Sequence, residues 1–315
     1  MSDCTRPLPS NERTIPKRLP MSTPSTLATE RRSSVNAGPD VFLMGVSKAA
    51  STWIYRCLQE HPAVFVPASD SLRFFDMRYH EGLAGYEAMF ADARPGQLKV
   101  DPSPTYFRSP VAAKRISRHY PEARFVLSLR NPIDRAFSQF WHEKKQGRFD
   151  YTFDQVIDHP LLFPWIVEHG FYATHLEGLL REFSADRVGV VLYDDLLDDP
   201  KRFLEDVLAK MSLALDFEPS VLRQRVNEGG ALQNAGLRAI GQLRGVEWLA
   251  PLRRGLKRGL KVDNLYRSVG HLLSNRVEYE EGMSETARER LRLIYRDEID
   301  RLEALTGKSM EVWRR

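Results

Sequence analysis

Val41-Phe42-Leu43-Met44-Gly45-Val46-Ser47-Lys48-Ala49-Ala50-Ser51-Thr52 runs from four consecutive apolar residues through a glycine into a polar turn. Four apolar residues closed by Gly45 read as a short strand buried on both faces. The apolar positions Ile54, Cys57 and Leu58, at i, i+3 and i+4, predict a helix over about 50–60 that ends before Pro62. A strand, a tight turn and a helix start in succession form a cradle for an anion: backbone N–H groups point inward, the helix dipole favours negative charge, and Ser51 and Thr52 add hydroxyl donors. Lys48 precedes Thr52 by four positions, whereas the nucleoside-triphosphate loop runs Gly-Lys-Ser/Thr consecutively after its spacers. Taken alone, the segment equally fits an ordinary strand-to-helix turn.

The alternation continues outward. Strands are expected at 64–66, 98–100, 124–129 and 188–193, and helices at 83–91, from Ser109 as cap with Pro110 in the first turn, and from Asn131 and Pro132 to Gly147. A last helix begins at the cap Ser284, carries Leu291, Ile294, Tyr295, Leu302 and Leu305 on one face, and stops at Gly307. Strands separated by helices predict an α/β fold with a parallel, doubly wound sheet, which collects ligands at the carboxyl ends of its strands. Residues 1–40 hold six prolines and no aromatic side chain, so they are expected to form a disordered tail ahead of one domain over 41–315.

Composition narrows the function. With 42% apolar and 28% charged residues in 315, the chain is globular. A net charge of +4 is too small for a protein that coats nucleic acid, so no nucleic-acid partner is expected and any basic site must be local. Two cysteines, Cys4 and Cys57, are too few for a zinc site or a disulfide framework; a reducing, cytoplasmic setting without a metal is expected. No run approaches the ~18 apolar residues of a membrane span, so no integral membrane association is expected. Oligomeric state is not legible.

The second informative segment is Leu129-Arg130-Asn131-Pro132-Ile133-Asp134-Arg135-Ala136-Phe137-Ser138. Arg130 leaves a strand's carboxyl end and Ser138 lies about two turns into the next helix, so a guanidinium and a hydroxyl can converge on a further anion. Two anion sites on one sheet edge point to a bisphosphorylated nucleotide.

At these segments the chain resembles the sulfotransferases that use 3′-phosphoadenosine 5′-phosphosulfate (PAPS), in particular the carbohydrate and bacterial branch of heparan-sulfate-sulfotransferase type. The likeness continues through Phe74-Phe75-Asp76, Asp101-Pro102-Ser103-Pro104-Thr105-Tyr106-Phe107, Tyr193-Asp194-Asp195-Leu196 and Leu305-Thr306-Gly307 with Trp313. The resemblance implies a P-loop-like parallel sheet flanked by helices, and PAPS as co-substrate without a metal. It also implies that Lys48, Ala49, Ala50, Ser51 and Thr52 hold the 5′-phosphosulfate, while Arg130 and Ser138 hold the 3′-phosphate. Arg276, shortly before Tyr279, echoes the family's late basic nucleotide-binding segment.

The implied chemistry is transfer of a sulfuryl group to a hydroxyl or amine of a glycan or small-molecule acceptor, with release of adenosine 3′,5′-bisphosphate. Negative charge then develops on the departing phosphate oxygen, and Lys48 is the cation expected beside it. The acceptor's proton needs a base, and here the chain departs from its relatives: Ser71 stands where many carry Glu. Asp101 and Asp70 are the candidate bases, with His80 behind them. Val190 to Asp195 imitates a magnesium-binding strand but reads as a strand end and helix cap. His61 and His142 read as structural. The basic stretch Arg253, Arg254, Lys257, Arg258 and Lys261 fits a solvated helix face, or a contact to an acidic acceptor or membrane surface. A non-catalytic nucleotide-binding module and a P-loop kinase are the alternative readings.

Overall fold

The computed structural model describes residues 37–148, 150–223 and 282–314. The expected tail up to residue 36, the basic stretch 253–261 and Arg276 lie outside the described residues. Five strands, β1 (Val41–Gly45), β2 (Val64–Phe65), β3 (Leu98–Asp101), β4 (Arg124–Leu129) and β5 (Val188–Leu192), form one parallel sheet in the order β2-β3-β1-β4-β5. In register, Val41 pairs with Val100 on one side and Arg124 on the other, and Gly45 pairs with Ser128.

Strand periodicity divides the core in two. Val41, Leu43 and Val126 point to one face, where they meet Ile54 and Leu58 of α1 (Ser51–Glu60) and Phe203, Leu204 and Val207. Phe42, Met44, Phe125, Leu127 and Leu129 point to the other, larger and more aromatic face. Both faces are covered, which is why the strands read as continuous apolar runs rather than alternating ones.

The remaining helices are α2 (Leu83–Glu87), α3 (Pro110–His119), α4 (Pro132–Lys145), α5 (Phe153–Asp158), α6 (Pro164–Val167), α7 (Tyr172–Leu180), α8 (Tyr193–Asp198), α9 (Pro200–Lys210), α10 (Ser220–Arg223) and α11 (Glu285–Thr306). The expected caps form. Ser109 accepts from the Ala112 N–H, Asn131 from Ile133 and Ser284 from Ala287, and Gly147 and Gly307 lie just past their helices with φ of 66° and 63°. No described helix is long and apolar enough to cross a membrane.

Two expectations need correction, and one element was not expected at all. The helix expected over 83–91 breaks into α2 and a 3-10 turn at Ala88–Phe90. Phe74–Arg78 forms a π-helical turn that no periodicity announced, entered through Arg73 at φ 54°. Residues 38–40, assigned to the tail, are packed. Gly38 and Pro39 are buried, a Cβ on Gly38 would overlap the Tyr120 ring, and Asp40 bonds the backbones of Lys99 and Arg124. Asp40 therefore joins the edges of β3 and β4 just before β1 enters between them.

Candidate active site

The chain leaves β1 towards β2 and leaves β4 towards β5, so the adjoining carboxyl ends of β1 and β4 mark the switch point of the sheet. The two informative sequence segments meet there. Gly45 has φ 142°, and a Cβ on it would overlap the Ser128 carbonyl; only glycine lets β1 turn this close to β4. The Ser128 carbonyl accepts from the Val46 N–H (3.3 Å), and the Ser128 hydroxyl donates to the Ala49 carbonyl, fastening the loop to β4 from both sides.

Lys48 (φ 74°) and Ala50 (φ 64°) are left-handed while Ala49 between them is not. Alternating handedness turns successive N–H groups into one concavity, the geometry of a backbone anion nest, and it opens directly onto the N-terminus of α1. Two strained residues in four is also what a site under functional constraint carries. The hydroxyls of Ser51, Thr52 and Ser138 make no hydrogen bond among the described residues.

Arg130 crosses to the loop: its Nη1 donates to the Lys48 carbonyl (3.2 Å), its guanidinium lies 4.7 Å from the Tyr193 ring centre, and its carbonyl accepts from the Tyr172 hydroxyl (2.9 Å). Neither Lys48 nor Arg130 makes an ion pair among the described residues. Burial pulls the Lys48 pKa down to about 8, with Glu143 opposing and Arg130 reinforcing the shift. A half-buried lysine and arginine held together without a counter-ion are electrostatically incomplete until an anion arrives.

Asp101, one of the two expected bases, is enclosed by its own partners. It is fully buried, and it accepts hydroxyl hydrogen bonds from Tyr86 (2.6 Å), Ser103 (2.5 Å) and Tyr106 (3.3 Å). The Ser103 hydroxyl in turn receives the N–H groups of Leu72 and Arg73, and the Tyr106 hydroxyl those of Phe74 and Phe75. Asp101 is thus the buried anchor of the π-helical turn, with a pKa raised to about 6 by desolvation. Asp70 lies half-buried in the loop before that turn, where its charge adds to burial in raising the pKa of the Tyr55 phenol; His80 is exposed. Asp194 and Asp195, expected to end the strand and cap the helix, lie instead in the first turn of α8, which has no side-chain cap, and receive the Trp313 indole N–H (2.9 Å) and the Lys308 ammonium (3.1 Å).

A pocket of about 620 Å3 opens beside the loop, lined by Ser47, Arg108, Gln139, Glu143, Arg148, Tyr151, Phe163, Trp165 and His169. Most of these residues escaped the reading of the sequence. Gln139 and Glu143 carried a usable signal, because they lie one helical turn apart on α4 and Gln139 directly follows Ser138. Glu143 is buried, and its two oxygens take the Gln139 amide (2.5 Å) and Arg148 guanidinium (2.5 Å). His142, exposed, is held neutral to about pH 4 by desolvation and by Lys48. Arg108 and His169 gave no local signal. Next to Arg108 lies Asp76, which opposes the burial-driven fall of the arginine's pKa and keeps one buried carboxylate oxygen without a hydrogen bond. No group of three or more His, Cys, Asp or Glu that could hold a metal exists among the described residues.

Residues 78–218 match the model of the sulfotransferase family. Over that stretch the chain is similar to the family. It is 27% identical over 202 residues to heparan sulfate glucosamine 3-O-sulfotransferase 3A1 of Mus musculus, covering 61% of this chain and 51% of that protein. It is 30% identical over 190 residues to the bifunctional heparan sulfate N-deacetylase/N-sulfotransferase 2 of Homo sapiens, covering 54% of this chain and 21% of that protein. The chain therefore spans about half the length of the first relative and about a fifth of the second. A crystal structure of a sulfotransferase from Alicyclobacillus acidocaldarius superposes with a TM-score of 0.63 at 21% identity, over 88% of this chain and 99% of that one. The P-loop-like parallel sheet of this chain is thus shared along nearly the whole of that neighbour.

Proposed function

We propose that this chain transfers a sulfuryl group from PAPS to a hydroxyl or amine of a glycan or small-molecule acceptor and releases adenosine 3′,5′-bisphosphate. The observation that carries the reading is the junction of β1 and β4. There a backbone nest, two unbonded hydroxyls at a helix N-terminus, and the Lys48 and Arg130 cations without counter-ions share one edge of the sheet. The donor set suits a phosphosulfate in the nest and a 3′-phosphate between Arg130 and Ser138.

PAPS supplies the activated sulfuryl group and its leaving phosphate. Lys48 stabilises the charge that develops on the departing phosphate oxygen, and the fixed N–H groups of the nest do so without reorganising. Glu143 partly opposes the burial-driven fall of the Lys48 pKa. The adjoining pocket receives the acceptor, with Arg108 and Arg148 as cations and Tyr151, Phe163 and Trp165 as ring surfaces. The names of the curated relatives support a glycan among the acceptors. A cytoplasmic setting is part of the same proposal and rests on the cysteine-poor composition.

Calorimetric titration with adenosine 3′,5′-bisphosphate beside ATP with magnesium tests the reading. Tight binding of the first and weak binding of the second is expected. The reverse order would return the kinase reading. Binding of the bisphosphate without turnover of any acceptor by labelled PAPS would leave a nucleotide-binding module.

A further inference from the structure

The proposed reaction needs a group to take the acceptor's proton, and the position of the family's Glu holds Ser71. Among the titratable groups lining the pocket, Glu143 has both oxygens engaged. His169 is different. It lines the same pocket as Ser47, the residue next to Lys48, and its ring nitrogens make no hydrogen bond among the described residues.

The turn that presents His169 is fixed from three sides. Arg135, fully buried on α4, donates to the carbonyls of Trp165 (3.5 Å) and Ile166. Tyr295 of α11 donates to the Val167 carbonyl (2.7 Å), and its ring lies where a Cβ on Gly170 would go. The His175 ring of α7 bonds the Glu168 carbonyl (3.1 Å). A side chain left unbonded on a turn held this firmly is poised for something that enters the pocket.

We propose that His169 is the general base of sulfuryl transfer, accepting the acceptor hydroxyl's proton on a ring nitrogen. This inference rests on the sulfotransferase reading of the site. As the acceptor oxygen forms its bond to sulfur, the O–H proton passes to the imidazole. The S–O bond to the 5′-phosphate breaks, its electron pair remains on the phosphate oxygen beside Lys48, and the imidazolium later returns its proton to water.

The surroundings keep the imidazole ready. Burial, reinforced by the cations Arg108 and Arg135 and by His175, lowers the His169 pKa to about 3, so the ring is unprotonated throughout the neutral range. Arg148 adds positive charge across the pocket, and Glu143, already paired, is the carboxylate on that wall. A bound polyanionic nucleotide offsets those cations and raises the ring's basicity.

The test joins a spectroscopic arm to a kinetic one, using the full chain and the variants H169N and H169Q. In the first, the imidazole resonance that disappears in H169N is titrated with and without saturating adenosine 3′,5′-bisphosphate. The expected result is an upward shift of at least about one pH unit on binding. In the second, both variants should keep bisphosphate affinity within about twofold and lose roughly 10²- to 10⁴-fold in kcat. The acid limb of the wild-type kcat profile should fall at the pKa measured for the bisphosphate complex and vanish in the variants.

A variant that folds, as checked by its melting curve, and keeps kcat within about threefold with the acid limb intact overturns the proposal. So does an imidazole pKa that ignores the bisphosphate. If the wild type turns over no acceptor, the sulfotransferase reading falls by itself, and the resonance still decides whether His169 senses the nucleotide.

Discussion

Replacing Lys48 separates charge from ordinary loop structure. Burial sets its free-state pKa at about 8, so the protonated fraction falls about tenfold between pH 7 and pH 9. A profile of kcat/KM, which reports the free enzyme, should show a basic limb near pH 8 of about that depth. In kcat the limb should move to higher pH, because the bound donor's negative charge favours the ammonium. Lys48→Ala should lower kcat by about a hundredfold or more, the usual cost of removing one strong stabiliser of developing charge, and leave no limb. Lys48→Arg carries a charge that does not titrate in this range; it should be less active than wild type and flat up to about pH 10. Steady-state assays with labelled PAPS, run with adenosine 3′,5′-bisphosphate binding at each pH, measure all of this. A basic limb that survives at pH 8 in Lys48→Arg, or a Lys48→Ala enzyme with near-wild-type kcat, would refute the assignment.

Arg130→Ala should weaken adenosine 3′,5′-bisphosphate about 10- to 100-fold while changing adenosine 5′-phosphate far less, since the lost contact is charge-assisted and specific to the 3′-phosphate. Calorimetry with the two ligands checks it, and equal losses would mean that Arg130 acts only by holding the Lys48 carbonyl. Asp101→Asn leaves one buried hydroxyl donor without an acceptor and should cost about 1–3 kcal/mol of stability, seen as a lower denaturation midpoint, with kcat of the folded protein retained. Its pKa is raised on folding, so Asp101 holds its proton more tightly in the native state and makes stability fall as pH rises from about 4 to about 6; the variant should lack that slope. Ala50→Gly relieves a left-handed alanine at about 1–2 kcal/mol, partly offset by glycine's greater unfolded-state freedom; a rise in Tm of about 1–3 °C is expected by calorimetry.

The sheet was legible because its determinants are local. Apolar runs at 41–44 and 125–129 are continuous since both faces are covered, and the caps Ser109, Asn131 and Ser284 act within three residues of themselves. Ser128 is the buried polar exception inside β4, and only the β1–β4 pairing explains its use as a fastener for Ala49. The anion loop and Arg130 were legible for the same reason, each being a short motif at a strand's end.

What tertiary structure decided is everything that depends on which distant segments share a space. Asp101 looked like a base because it ends a strand, and became a buried anchor because Tyr86 and Tyr106, from two other elements, close over it. His169 lies 121 positions after Lys48 in a single 3-10 turn, so no periodicity or spacing connects the two. The pocket exists only where α4, the turn after α6 and the end of the loop following β3 are packed against the β1 loop. A motif read along the chain names the groups that bind a phosphate, because backbone N–H groups and a helix start are contiguous. It cannot name the group that takes a proton, because desolvation and neighbouring charge are properties of the packed interior.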